Sequence, residues 1–430
     1  MSAADSTAAI EAVYRIEFPR VVAALARATG GDLGLAEDLA QDALVDALRQ
    51  WPRDGTPKNP GAWLTTVGKR KAVDRFRRDR TLAAKYAEVG RALEPSSGLG
   101  EEAAFDPAGD AEIEDDRLRL IFVACHPLLP VPARVALTLR LVGGLSVPEI
   151  ARAYVVPEPT IAQRIGRAKK TIAAAGVPFE VPVGTDRAVR LETVLEVVYL
   201  IYNEGYSATA GEDWLRPELC AEALRLGRVL AALDPDDAEV HGLVALMEFQ
   251  SSRLRARTDP SGVPILLLQQ DRRRWDPLHI SRGEAALERA EALAPERGPY
   301  TLQAAIAACH VRSFRPEDTD WAQVVALYGE LAARVSSPIV ELNRAVAISY
   351  LSGPAAALPY VDLLVGTQTL ERYHLLFSVR GDLLERLGRH DEAAVEFDRA
   401  ADLTTNEPER ALLRERAADS RDRATRTRGA

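Results

Sequence analysis

A chain of 430 residues exceeds what one ordinary core supports and predicts two or three domains. Its apolar content of 47% and charged content of 27% are those of a soluble globular protein, while a formal charge of −9 excludes one that coats nucleic acid by bulk attraction. Three scattered cysteines (Cys125, Cys220, Cys309) and six dispersed histidines indicate neither a disulfide framework nor a zinc site, and no cofactor is implied.

The N-terminus lacks a basic-then-apolar leader and no long apolar run is present, so the expectation is a cytoplasmic protein without a membrane partner. Residues 10–50 have helical spacing: Ile10, Val13, Tyr14, Val21 and Leu25, then Leu35, Leu39, Ala43 and Leu44. Asn59 before Pro60 is an N-cap and first-turn pair, which predicts the start of a basic helix. On it Trp63, Val67, Arg70 and Asp74 share a flank expected to pack, while Lys69, Lys71, Arg75 and Arg78 project elsewhere. Residues 69–80 hold seven basic and two acidic side chains, a local surplus of five positive charges. All six lysines fall in the first 170 residues, four of them in this helix and in a second basic segment at 145–170. A GC-rich codon bias accounts for scarce lysine but not for where it sits.

Residues 94–116 lose periodicity. Pro95, Gly98, Pro107 and Gly109, with carboxylates from Glu101 to Asp116, predict an acidic linker that acts as a tether or as a shield between two basic segments. Helix resumes over 117–175. Ser146-Val-Pro-Glu149 has the form of a capping box, Ile150 and Tyr154 form one apolar face, and Ile161, Ile165 and Ala168 form the next. Val155–Pro159 is the tight connection, with Pro159 in the first turn of the second helix. This is a helix-turn-helix pattern whose second helix directs Thr160, Gln163, Arg164 and Arg167 outward, with Lys169 farther along; such helices read the major groove with their N-terminal half. Val177–Gly184 marks a boundary. Beyond it, Phe377, Gly381, Leu384, Ala393, Phe397 and Ala400 have tetratricopeptide spacing, and segments 221–250, 284–312 and 321–365 share its alanine-rich texture.

In this order, the motifs resemble the extracytoplasmic-function branch of bacterial sigma-70 factors. Ala36-Glu-Asp-Leu-Ala-Gln-Asp42 is similar to region 2.2, Trp63–Arg78 to regions 2.3 and 2.4, and Leu145–Lys170 to region 4.2. The resemblance implies an all-α fold with sigma region 2 at 1–93, the acidic linker at 94–116, a region 4 helix-turn-helix at 117–178 and a helical extension at 185–430. It implies that core RNA polymerase (β′ clamp helices and β subunit) and promoter DNA are the partners. Asp38, Leu39, Gln41 and Asp42 would then meet polymerase. Trp63, Lys69, Arg70, Arg75, Arg77 and Arg78 would serve the −10 element, with Trp63 and Phe76 as stacking candidates. Thr160, Gln163, Arg164, Arg167 and Lys169 would serve the −35 element. The chain departs from the family at Arg70, where many members carry asparagine, and at Val155, where such turns often place glycine.

Tyr199-Leu-Ile-Tyr-Asn-Glu-Gly-Tyr206 resembles the signature opening a tetratricopeptide-like C-terminal extension in one subgroup, which implies control of activity by the extension through contact with the sigma core. Two readings of Tyr202, Asn203, Glu204, Gly205 and Tyr206 stand. Either Gly205 makes a turn that exposes Asn203 and Glu204 to a ligand or latch, or these polar groups satisfy buried backbone at a helix end. The competing function is a helix-turn-helix regulator with a ligand-sensing repeat domain, which leaves Ala36–Asp42 and Trp63–Arg78 unexplained. An enzyme is not expected, since no acid–base pair, nucleophile–histidine set or phosphate loop is present.

Overall fold

The computed structural model describes residues 17–90, 110–154, 156–208, 210–211, 214–260, 262–367 and 370–429. The expectations for Ile10, Val13, Tyr14, Val155 and the linker from 94 to 109 lie outside them. The architecture is all-α as expected; the described residues add one short parallel pair, β1 (Ala210–Gly211) with β2 (Thr405–Asn406). The chain divides into two compact units between Val197 and Val198.

The first unit opens with α1 (residues 17–28), α2 (Leu33–Asp54) and α3 (Pro60–Gly90). Asp32 caps α2 by accepting from the Leu35 amide at 2.9 Å, and Asn59 caps α3 by accepting from Ala62 N at 3.0 Å. Each such cap is worth about 1 kcal/mol. Val21, Val22 and Leu25 of α1 are fully buried, as are Ala36, Ala40 and Ala43 of α2 and Leu64 of α3. The packed flank of α3 differs from the sequence expectation. It is Gly61, Leu64, Gly68 and Ala72 that are buried, while Trp63 and Val67 are half-buried and Arg70 and Asp74 exposed. Glycine carries no hydrophobic signal, yet here it lets the backbone of α3 approach the Leu25 side chain.

The same unit continues with α4 (Asp110–Ala124), α5 (Val131–Leu141), α6 (Val147–Ala153), α7 (Glu158–Ala174) and the start of α8 (Gly184–Tyr206). The linker expectation is corrected at its C-terminal end. Residues 110–116 are helical, and Asp116 is 2% exposed, paired with Arg27 at 3.3 Å and Arg119 at 2.6 Å. The capping box forms as expected: Ser146 N and Oγ both lie 2.7 Å from Glu149 Oε2, and Glu149 N donates to Ser146 Oγ at 3.4 Å. Ile161, Ile165, Ala168 and Ile172 form the buried stripe of α7.

The second unit is a run of helical hairpins: α9 (Pro217–Leu233), α10 (Ala238–Ser252), α11 (Pro277–Leu293), α12 (Pro299–Val311), α13 (Trp321–Arg334), α14 (Pro338–Leu351), α15 (Pro354–Val365), α16 (His374–Arg386), α17 (His390–Leu403) and α18 (Glu407–Gly429). Phe377, Leu384, Ala393, Phe397 and Ala400 all enter one core, and Gly381 is buried on α16. A Cβ on Gly381 would lie 2.7 Å from the Phe397 ring, so the closest approach of α16 to α17 requires glycine. The β1–β2 pair, with Asn406 Nδ2 donating to Ala208 O at 3.1 Å, ties the start of this run to its last helix.

Candidate nucleic-acid and polymerase interfaces

On α3, burial of Gly61, Leu64, Gly68 and Ala72 turns the cationic residues outward. Arg70, Arg75, Arg77 and Arg78 are exposed, and Phe76 stands 41% exposed among them. Lys69 is half-buried, and Lys71 is tied to Asp46 at 2.9 Å. Trp63 meets Trp51 edge-on, with centroids 5.3 Å apart, and keeps part of its surface open. Exposed guanidiniums beside an open aromatic ring suit single-stranded nucleic acid, because the cations follow phosphates while a ring stacks any base.

On α2, Asp38, Gln41, Asp42 and Val45 are exposed at three- and four-residue spacing, giving one outward stripe. Leu39 does not join it: it is 2% exposed and belongs to the core. Between these faces lies a residue that the motif reading missed. Glu37, 4% exposed, accepts from Arg140 Nε at 2.5 Å and Gln41 Nε2 at 3.1 Å, and pairs with Lys169. Burial pushes the Glu37 carboxyl up, but Lys169 and Arg140 outweigh it and hold it below the usual glutamate range. A signal was present, since Glu37 sits in the Leu33–Ala36–Ala40 stripe, where a carboxylate needs buried partners.

On α7, Thr160, Gln163 and Arg167 are exposed, and Arg164 is half-buried at the flank of the apolar stripe. Lys169, expected beside them, pairs instead with Glu37 across the first unit. Arg140 also stacks over Phe18, 5.1 Å from the ring centroid.

The Tyr202–Tyr206 segment stays helical, and no turn forms at Gly205. A Cβ there would lie 2.6 Å from Cys220 N and 2.9 Å from Arg216 O, so this glycine serves close approach of the N-terminus of α9. Glu204 is 7% exposed and pairs with Arg216, itself 8% exposed, rather than facing solvent. Tyr202 donates to or accepts from Ser251 Oγ at 2.8 Å, donates to Met247 O at 3.1 Å, and stacks on Tyr206. Arg257 lies between Tyr206 and Trp214, 3.4 and 4.3 Å from their centroids. These contacts make the segment an internal hub of the second unit, with Asn203 half-buried.

All three cysteines are buried and free, and burial pushes the Cys125 and Cys220 thiols up to about 12, far from a reactive thiolate. No cluster of three metal-ligating side chains occurs among the described residues. Among them, no helix is long and apolar enough to cross a membrane.

An exposed basic helix with an open aromatic ring, and later in the chain a helix whose N-terminal half is open, are surfaces suited to nucleic acid. Residues 17–81 match Sigma-70 region 2 and residues 119–172 match Sigma-70 region 4. These two matches support an RNA polymerase sigma factor, one that binds core polymerase and promoter DNA. Residues 190–291 match a family of unknown function, DUF6596. An uncharacterised protein of Rhizobium meliloti (strain 1021) is 46% identical over 385 residues, 89% of each chain, and the present chain belongs with it to one family. The ECF RNA polymerase sigma factor SigK of Mycobacterium ulcerans (strain Agy99) is 29% identical over 135 residues, 31% of this chain and 68% of that protein.

Proposed function

We propose that this chain is a cytoplasmic sigma factor of the extracytoplasmic-function type, with activity governed by its tetratricopeptide-like extension through contact with the sigma core. The observation that carries the reading is the exposed arginine face of α3, with Phe76 in it, on the same chain as the exposed N-terminal half of α7. Asp38, Gln41 and Asp42 meet the β′ clamp helices of core polymerase as a small acidic and amide surface. Trp63 and Phe76 stack on bases opened at the −10 element, returning roughly 1–3 kcal/mol per base, and Arg70, Arg75, Arg77 and Arg78 hold the phosphates. Gln163, Arg164 and Arg167 read the −35 element, where a bidentate base contact contributes about 1–3 kcal/mol. With a chain charge of −9, promoter binding by the free protein is weak at physiological salt and becomes tight only with core polymerase.

The test is transcription of fragmented genomic DNA by purified core polymerase with and without this protein, mapping transcript starts. New starts sharing two upstream elements are expected. Absence of binding to core would overturn the reading in favour of a helix-turn-helix regulator.

A further inference from the structure

Promoter recognition leaves unused a groove of about 720 Å³ in the second unit, walled by α12, α13, α14, α16 and α18 and by the segment 264–269. Its aromatic wall is Trp321 stacked on Tyr350, with centroids 4.6 Å apart and planes at 19°, beside Tyr328. Tyr350 remains 39% exposed, and its ring already carries one cation of the chain, the Arg386 guanidinium at 4.6 Å.

The α16 and α18 side of the groove is acidic. Four carboxylates (Asp382, Glu385, Glu415, Asp419) and two guanidiniums (Arg416, Arg423) line the groove, and with Arg386, which pairs with Asp382 at 3.6 Å, one negative charge is left in excess. Arg416 is 2.8 Å from Asp382 and 2.7 Å from Glu385, and Arg423 is 3.2 Å from Glu385. Glu415 and Asp419, one turn apart on α18, form no ion pair among the described residues. His310, nine-tenths buried and edge-on to Trp321 at 5.4 Å, also lines the groove, and its Nδ1 has no hydrogen-bond partner. Burial, with Arg253 and Arg272 nearby, lowers this imidazole to about 3, so it stays neutral and does not balance the carboxylates. A buried ring nitrogen without a partner, an open aromatic wall and an excess of unpaired carboxylates share one solution, a bound group that is cationic at one end. The groove volume is that of a small-molecule site.

We propose that this groove binds a small organic cation of the aliphatic amine or guanidine class. Its charged end lies against Glu415 and Asp419, its stem lies along Trp321 and Tyr350, and His310 supplies a hydrogen bond. The inference stands apart from promoter recognition, because binding is measured directly on the free protein.

The experiment titrates the full-length protein with spermidine by calorimetry, with 1,8-octanediol as the uncharged control. One saturable site is expected, with no heat from the diol. Glu415→Gln/Asp419→Asn, both exposed positions, is expected to weaken spermidine at least tenfold without changing the melting temperature. His310→Phe, which keeps a ring but removes both nitrogens, is expected to weaken it severalfold. Glu288→Gln/Glu371→Gln, exposed and outside the groove, is expected to leave affinity unchanged. Equal loss in this last variant would show only general attraction to an acidic protein and would overturn the site. Absence of saturable binding, or an arginine-rich peptide of ten residues binding a hundredfold more tightly than spermidine, would overturn the assignment to a small molecule.

Discussion

Replacing Glu37 by glutamine tests the ionic centre of the first unit. The substitution keeps shape and one acceptor oxygen but removes the charge that faces Arg140 at 2.5 Å and Lys169. The Glu37 side chain is 6% exposed, against 15% for Arg140 and 18% for Lys169, so the cations can turn partly to water. Removing one partner of a buried pair costs about 3–5 kcal/mol, and this residual exposure places the expected loss near the low end, about 3 kcal/mol. At about 1.4 kcal/mol per factor of ten, amide exchange in α2 and α7 should speed up roughly a hundredfold in full-length protein, with α16 and α17 unchanged. The pH dependence has a definite sign. Because the folded carboxyl is held below its usual range, the stability that it lends is present above that range and lost as the pH falls through the lowered value. Wild type and Glu37→Gln should therefore converge in stability at low pH. Unchanged exchange in α2 and α7, or a gap that persists at low pH, would refute the reasoning.

Three further outcomes are expected. Gly205→Ala places a methyl 2.6 Å from Cys220 N and should destabilise the second unit by about 1–3 kcal/mol, read as a lower melting temperature; a wild-type transition would show that α9 yields freely. Ser146→Ala removes the capping box and should cost about 1 kcal/mol, seen as faster amide exchange in α6, and an unchanged rate would mean that packing alone holds this helix. Arg75→Ala/Arg77→Ala/Arg78→Ala changes exposed residues, so melting should stay as in the wild type while promoter binding with core polymerase weakens and its salt dependence becomes shallower; an unchanged salt slope would remove these arginines from the phosphate contacts.

Local chemistry was legible residue by residue. Asn59 and Ser146–Glu149 cap their helices because those hydrogen bonds span only three residues, and the 161–165–168 stripe of α7 follows from helical period alone. The packed flank of α3 was misjudged because its contact positions include two glycines, invisible to a hydrophobic pattern. The sequence left Gly205 open between a turn and a helix end, because glycine permits either, whereas it is needed for the approach of α9 to a helix that simply continues. Leu39 fell within a motif expected to meet polymerase, but only folding showed that its side chain points to the core.

The order of motifs, the two basic segments and the helical periods are properties of the chain itself, and they determined the all-α class and the sigma-70 resemblance. The partners of Glu37 lie 103 and 132 residues away, and the groove gathers residues from Pro264 to Arg423. No local pattern encodes such meetings. They arise when helices pack, and packing decides which charges find partners, which are buried and which are left facing an open groove.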